Sequence, residues 1–146
     1  MTVMKRKGLR WLLWLTLAAV LTGGIVVYRI FTKPHRDVTT ETAVTLTAQA
    51  LYDAFKADEN KANALYLDKA VQVSGEVLDI STNQDQQVVI NFKTNDPLVV
   101  VNCTFKENPG TLKAGDNIAF KGICTGYIPE ANVVINAGVL ISATKP

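Results

Sequence analysis

The chain has one histidine, two cysteines and, beyond residue 36, no arginine, and each scarcity closes a class of chemistry. His35 is the only imidazole and lies in a polar stretch, where it reads as an ordinary solvated residue. The rest of the chain therefore has no base to activate a Ser, Thr or Cys nucleophile. Two Cys without His fall short of the four ligands of a structural zinc site. There is no Cys-x-x-Cys, and no basic residue adjoins Cys103 or Cys124, so the electropositive setting of a redox thiol is missing. Gly122 and Gly126 fall in or just after a strand-like segment with no helix following, which is not a phosphate-cradling loop. The acids are dispersed: Asp53, Asp58 and Glu59 read as solvated helix carboxylates and Asp79, Asp85 and Asp96 as turn caps, too sparse for a calcium loop. We expect a non-enzymatic protein with no metal and no cofactor.

The missing arginine also bears on partners. Residues 1–36 hold seven Lys or Arg and no acid, whereas residues 37–146 hold eight Lys and thirteen Asp or Glu, a balance of −5. The formal charge of +2 for the whole chain averages these unlike parts. A domain that tracks a phosphate backbone usually has the opposite sign, and Arg is the side chain best suited to bidentate phosphate contact and base stacking. Nucleic acid is thus a disfavoured partner.

What the N-terminal part has in abundance is apolar sequence. From Trp11 to Ile30 the chain reads WLLWLTLAAVLTGGIVVYRI, with Arg29 its one charge. At about 1.5 Å per residue this run spans roughly 30 Å, the hydrocarbon thickness of a bilayer. Trp11 and Trp14 at one end and Tyr28 at the other sit where amphipathic rings prefer the interface, and Arg29 can snorkel outward. A cleaved signal peptide fits less well: the run exceeds the usual ~7–15-residue apolar region, Thr22-Gly23-Gly24 is followed by more apolar sequence, and no Cys follows for lipid attachment. We expect a basic cytoplasmic tail over 1–10, a single-pass transmembrane anchor over 11–31, a Thr-rich tether over 32–45 and a folded domain over 46–146. Lys5, Arg6, Lys7 and Arg10 on the short tail outnumber Arg29, Lys33 and Arg36, which tips the tail toward the cytoplasm. The domain is then expected on the far face of a cell inner membrane, periplasmic or otherwise extracytoplasmic.

In the folded part, Thr47 stands as an N-cap before an Ala-rich turn, and Leu51 shares a face with Phe55, predicting a helix over 47–57. Asp58 caps a second, shorter helix carrying Ala62, Leu65 and Tyr66, with Glu59 in its electropositive first turn. Tyr52, Phe55 and Tyr66 have helical spacing and read as core residues against a sheet, not as a stacking platform. The periodicity then changes to two. Val71, Val73, Gly75 and Val77 alternate with Gln72, Ser74 and Glu76 in a strand over 69–80, its Gly marking a bend or bulge. Further strands are predicted over 87–93 with Val88, Ile90 and Phe92 inward, and over 98–105 with Val99, Val101, Cys103 and Phe105 inward. The loop 106–115 carries Pro109-Gly110 and Leu112 as a plug. The last two strands are expected over 116–127, with Ile118, Phe120, Gly122 and Cys124 inward, and over 132–141. Five strands of this size, with Gly in the first and fourth, suit a small five-stranded barrel preceded by short helices, a mainly β fold.

The ordered segments DENKANALYLDKAVQVSGEVLDI, VNCTF and LKAGDNIAFKGICTGY, followed by a last apolar strand, resemble the bacterial OB-fold domains grouped as tRNA-anticodon-binding-like. The matching positions include Asn60, Tyr66, Lys69, Gly75, Cys103, Gly115, Asp116, Lys121, Gly122, Cys124 and Gly126, and cover roughly residues 46–141. The last strand departs from some relatives, reading Asn136-Ala137-Gly138 where they carry another Cys. The resemblance implies an OB-fold, often held behind a membrane anchor, and most such domains have no assigned activity. It does not establish nucleic-acid binding, because fold does not fix function.

Two expectations depend on that barrel. Outside the cytoplasm Cys103 and Cys124 invite a disulfide, worth on the order of 3 kcal/mol for a loop of about twenty residues. Two buried free thiols are the alternative, since the third and fourth strands of an OB barrel are not direct neighbours and their Cα atoms can lie beyond bonding distance. The binding face of an OB-fold is usually the outer surface of its second and third strands, framed by loops. Here that surface would show Gln87, Val89, Asn91 and Lys93 with Leu98, Val100, Asn102 and Thr104, none of them aromatic. Val89, Leu98 and Val100, with Asn91 beside them, form a small candidate contact patch for a protein or another envelope component, or a patch covered by the preceding helix. Tyr127 is the one ring at the rim, as a contact or as a loop-packing residue.

Overall fold

The computed structural model describes residues 6–31 and 37–144. The chain separates into two units, Met1–Arg36 and Asp37–Pro146. The first is the helix α1, Arg6–Phe31. Trp11, Trp14 and Tyr28 are exposed on it, while the side chain of Arg29 lies outside the described residues. Among the described residues no helix is long and apolar enough to cross a membrane.

The second unit begins with a short strand, β1 (Val44–Thr47), and two helices, α2 (Ala48–Ala57) and α3 (Glu59–Tyr66). The two N-caps legible in the sequence are made: the Thr47 side chain accepts from the Ala50 N–H and the Asp58 side chain from the Lys61 N–H. Each satisfies a backbone donor that the first helical turn leaves without a partner. Five strands follow: β2 (Ala70–Thr82), β3 (Val88–Phe92), β4 (Val100–Phe105), β5 (Asn117–Ile128) and β6 (Asn132–Thr144). They pair in the order β2-β3-β4-β6-β5, and β5 returns to β2. Within this ring only β4–β6 is parallel. This is the closed, five-stranded OB-fold topology.

Closure depends on the length of β2. Its first half, 70–76, pairs with β5, and from Val77 onward it pairs with β3, with a register shift between Val77 and Asp79. The Gly in the middle of the strand lies two residues before that bulge, which lets one strand serve two seams. The predicted inward residues fill the interior: Val71, Val73, Ile90, Phe92, Val101, Cys103, Phe120 and Cys124 are all fully buried, and Ile135 of the last strand joins them. Phe120 stacks on Phe92 at 4.6 Å between ring centroids and tilts against Phe105 at 5.7 Å. Leu51 and Phe55 of α2 and Ala62 of α3 complete the same core, with Leu112 packed against it.

Three expectations are corrected. Residues 37–45 are part of the domain and not a tether. Val38 is buried against Ala70 and Ile123, and β1 runs parallel to β2 with Val44 opposite Val71. Lys121 Nζ donates to the carbonyl of Thr39 at 3.0 Å and to that of Glu41. Leu98 lies in a turn, and β4 starts at Val100, because the Asp96 carboxylate accepts from the Leu98 N–H at 3.1 Å and holds the chain in a turn. Finally, Cys103 and Cys124 are free. Both lie opposite Ile135 of β6, one from each side. Two strand spacings of about 4.8 Å put their Cα atoms roughly 10 Å apart, beyond disulfide reach.

Candidate interaction surface

The outer face of β3 and β4 carries the proposed contact residues. Val89, Asn91, Val100, Asn102 and Thr104 are half-buried, and Leu98, in the turn before β4, is 79% exposed. Both rings on these strands, Phe92 and Phe105, point into the barrel and are buried. What occupies the middle of the face is an amide ladder. Asn102 Nδ2 donates to Asn91 Oδ1 at 2.7 Å, and Asn91 Nδ2 donates to Asp79 Oδ1 at 3.0 Å. The backbone register places Asn91 opposite both Asp79 and Asn102, so the ladder follows from three outward polar residues on adjacent strands. Asn is uncommon in strands, and two of them at outward positions were the available signal for it.

The loop between β3 and β4 is tied to α2. Thr94 Oγ1 donates to the Val99 carbonyl at 2.6 Å, and the Asn95 N–H donates to Gln49 Oε1, also at 2.6 Å. The Tyr52 hydroxyl donates to Asp96 Oδ2 at 2.9 Å. Lys56 Nζ lies 3.8 Å from the same carboxylate oxygen and 5.3 Å from the centre of the Tyr52 ring. The Asp96 carboxyl is held below its ordinary pKa, first by the Leu98 N–H and then by the Tyr52 hydroxyl. Removal from water raises the Tyr52 phenol, and its bond to Asp96 adds to that shift. Tyr52 was legible as a core residue, but its partner lies 44 residues away, and nothing local in the sequence joins them.

Tyr127 is half-buried and stacks on Phe55 at 5.4 Å. Beside this pair lies a cleft of about 650 Å³, bounded by the end of α2, the start of α3, the β3–β4 loop and the β5–β6 turn. Leu98, Val99 and Pro129 give it apolar surface, and Asp58, Glu59, Asp96 and Glu130 supply carboxylates, against the one ammonium of Lys56.

Residues 1–139 match the family model described as tRNA_anti-like. The chain belongs to the tRNA_anti-like family. The matched span takes in α1 as well as most of the barrel. A search among curated proteins finds no match for the chain. For a tRNA_anti-like domain the two thiols offer little chemistry: burial pushes Cys124 up to about 11 and Cys103 well above its ordinary value, and thiols that stay protonated are poor nucleophiles. Among the described residues, no group of three or more His, Cys, Asp or Glu is placed to hold a metal ion.

Proposed function

We propose that this protein is a non-enzymatic interaction module, an OB-fold held by a single-pass N-terminal anchor on the outer face of a bacterial inner membrane, where it engages a protein or another envelope component. The observation that carries this reading is the burial of Phe92 and Phe105. It leaves the usual oligonucleotide face of the fold with Val, Asn and Thr and no ring on which a base could stack. The charge of the 37–146 segment, −5 with no Arg, argues the same way, since counterion release needs cations along the path of the strand. The anchor rests on the uncharged, largely apolar run from Trp11 to Tyr28 with rings at both ends.

The second reading is a nucleic-acid-binding OB protein, favoured by the strand topology and the family. Topology of the anchor is tested by introducing Ser142→Cys, an exposed position, and treating intact cells with a membrane-impermeant maleimide. Cys103 and Cys124 are buried and stay silent. Labelling before lysis is expected, and labelling only after lysis would place the barrel in the cytosol and overturn the envelope reading.

A further inference from the structure

The cleft beside Tyr127 has a composition that selects an occupant. Its apolar surface includes Leu98, 79% exposed, and Val99, 2% exposed, so an apolar side chain seated there would remove both its own surface and that of Leu98 from water. Four carboxylates to one ammonium then set the sign of what must flank that side chain. Asp58 and Asp96 are also engaged in holding the fold, by capping α3 and by fixing the β3–β4 turn. Glu59 and Glu130 are exposed and come from separate elements, the first turn of α3 and the β5–β6 turn.

Glu130 is also an unusual residue for its position. The Ala131 N–H donates to the Ile128 carbonyl at 3.1 Å, closing a turn with Pro129 and Glu130 at its centre. Glu130 has φ of 60°, a left-handed conformation that Gly or Asn adopts at lower cost. A charged side chain is thus placed on the cleft where the turn alone would favour Gly.

From this charge complementarity we infer that the cleft binds an extended peptide segment of a partner protein in which an apolar side chain is flanked by Lys or Arg. The inference deepens the interaction-module reading and rests on it. The carboxylates select the sign of the flanking residues and the Leu98 surface anchors the apolar one, a division in which charge supplies specificity and apolar burial supplies affinity.

The test is a fluorescence-anisotropy titration of the full-length chain in neutral detergent with a labelled, end-capped hexapeptide of alternating Lys and Leu. Peptides with Glu in place of Lys, or Ser in place of Leu, serve as controls, and a labelled oligouridylate is run beside them. Saturable binding is expected for the Lys-Leu peptide alone, weakening as salt rises. Glu130→Gly is expected to weaken it at least about threefold while leaving the thermal midpoint unchanged or higher, because Gly suits the turn. Leu98→Ser, in an exposed turn, should weaken it by a similar factor without unfolding the barrel. No saturation up to about 1 mM, equal binding of the Glu-Leu peptide, or full affinity in both variants would overturn the inference and leave the interaction-module reading standing. Self-association of the chain that the same variants weaken would assign the cleft to a second copy and overturn it too. Oligouridylate binding that displaces the peptide would overturn the interaction-module reading itself, and the inference with it.

Discussion

Gly138→Ala is a sensitive probe of how the barrel closes. Gly138 lies opposite Phe105 on the parallel β4–β6 seam, just past a register shift between Cys103 and Phe105. A methyl group there would sit 2.6 Å from the Cys103 sulfur and 3.3 and 3.4 Å from two carbons of the Phe105 ring. Cys103 and Phe105 are both fully buried, so neither can swing into solvent, and the strand must shift. Overpacking of this kind costs about 1–3 kcal/mol. Replacing Gly by Ala recovers about 0.4–1 kcal/mol by restricting the unfolded chain, which leaves a net loss of roughly 1–2 kcal/mol. At about 4 °C per kcal/mol for a domain of this size, the melting midpoint should fall by roughly 4–8 °C. Near-ultraviolet circular dichroism, which follows the packed rings, is the assay. The decisive comparison is the double variant. Cys103→Ala removes the clashing sulfur, so Gly138→Ala should cost at least about 1 kcal/mol less in that background than in the wild type. An unchanged midpoint in Gly138→Ala, or strict additivity in the double variant, would refute the packing argument.

Three further outcomes follow from particular contacts. Lys121→Met keeps the apolar stem but loses the donors to the Thr39 and Glu41 carbonyls, so amide exchange should quicken over residues 37–43 while the barrel amides keep their protection; uniform acceleration would contradict a locally docked strap. Because Cys103 and Cys124 are free and buried, reductant should leave the melting midpoint unchanged, and iodoacetamide at mildly alkaline pH should label neither thiol until the chain is unfolded. The Asp96 carboxyl is held below its ordinary pKa by the Leu98 N–H and then the Tyr52 hydroxyl. Its contribution is therefore complete above the unfolded-state pKa and is lost as pH falls through the lower folded-state value. Tyr52→Phe should lose less stability than the wild type on acidification over that interval, and identical acid slopes would contradict the contact.

Much of the fold was legible because short-range rules governed it. Thr47 and Asp58 announced the two helices through cap chemistry that operates over three residues. The alternation in 71–77, 88–92, 99–105 and 118–124 placed the inward residues, since a half-buried strand allows no one-residue slip. The parts that were not legible depend on distant partners. β1 is four residues long and pairs with a segment 27 positions ahead, so its Val-Thr-Leu-Thr alternation was too short to separate from a Thr-rich tether. Val38 is a lone apolar residue whose pocket, Ala70 and Ile123, comes from two strands. Leu98 heads an apolar run that reads as strand, yet the Asp96 side chain takes its N–H for a turn. The cleft is the least local feature, since its lining comes from three separate stretches of chain, 52–59, 96–99 and 127–130, and no periodicity connects them.

An interaction module of this kind requires a barrel that does not bind nucleic acid. Binding of short single-stranded DNA and RNA to the full-length chain in detergent, measured at low salt where phosphate contacts are strongest, tests that most directly. The acidic balance of the 37–146 segment and its ring-free face predict no saturable binding; micromolar affinity that falls steeply as salt is raised would contradict it.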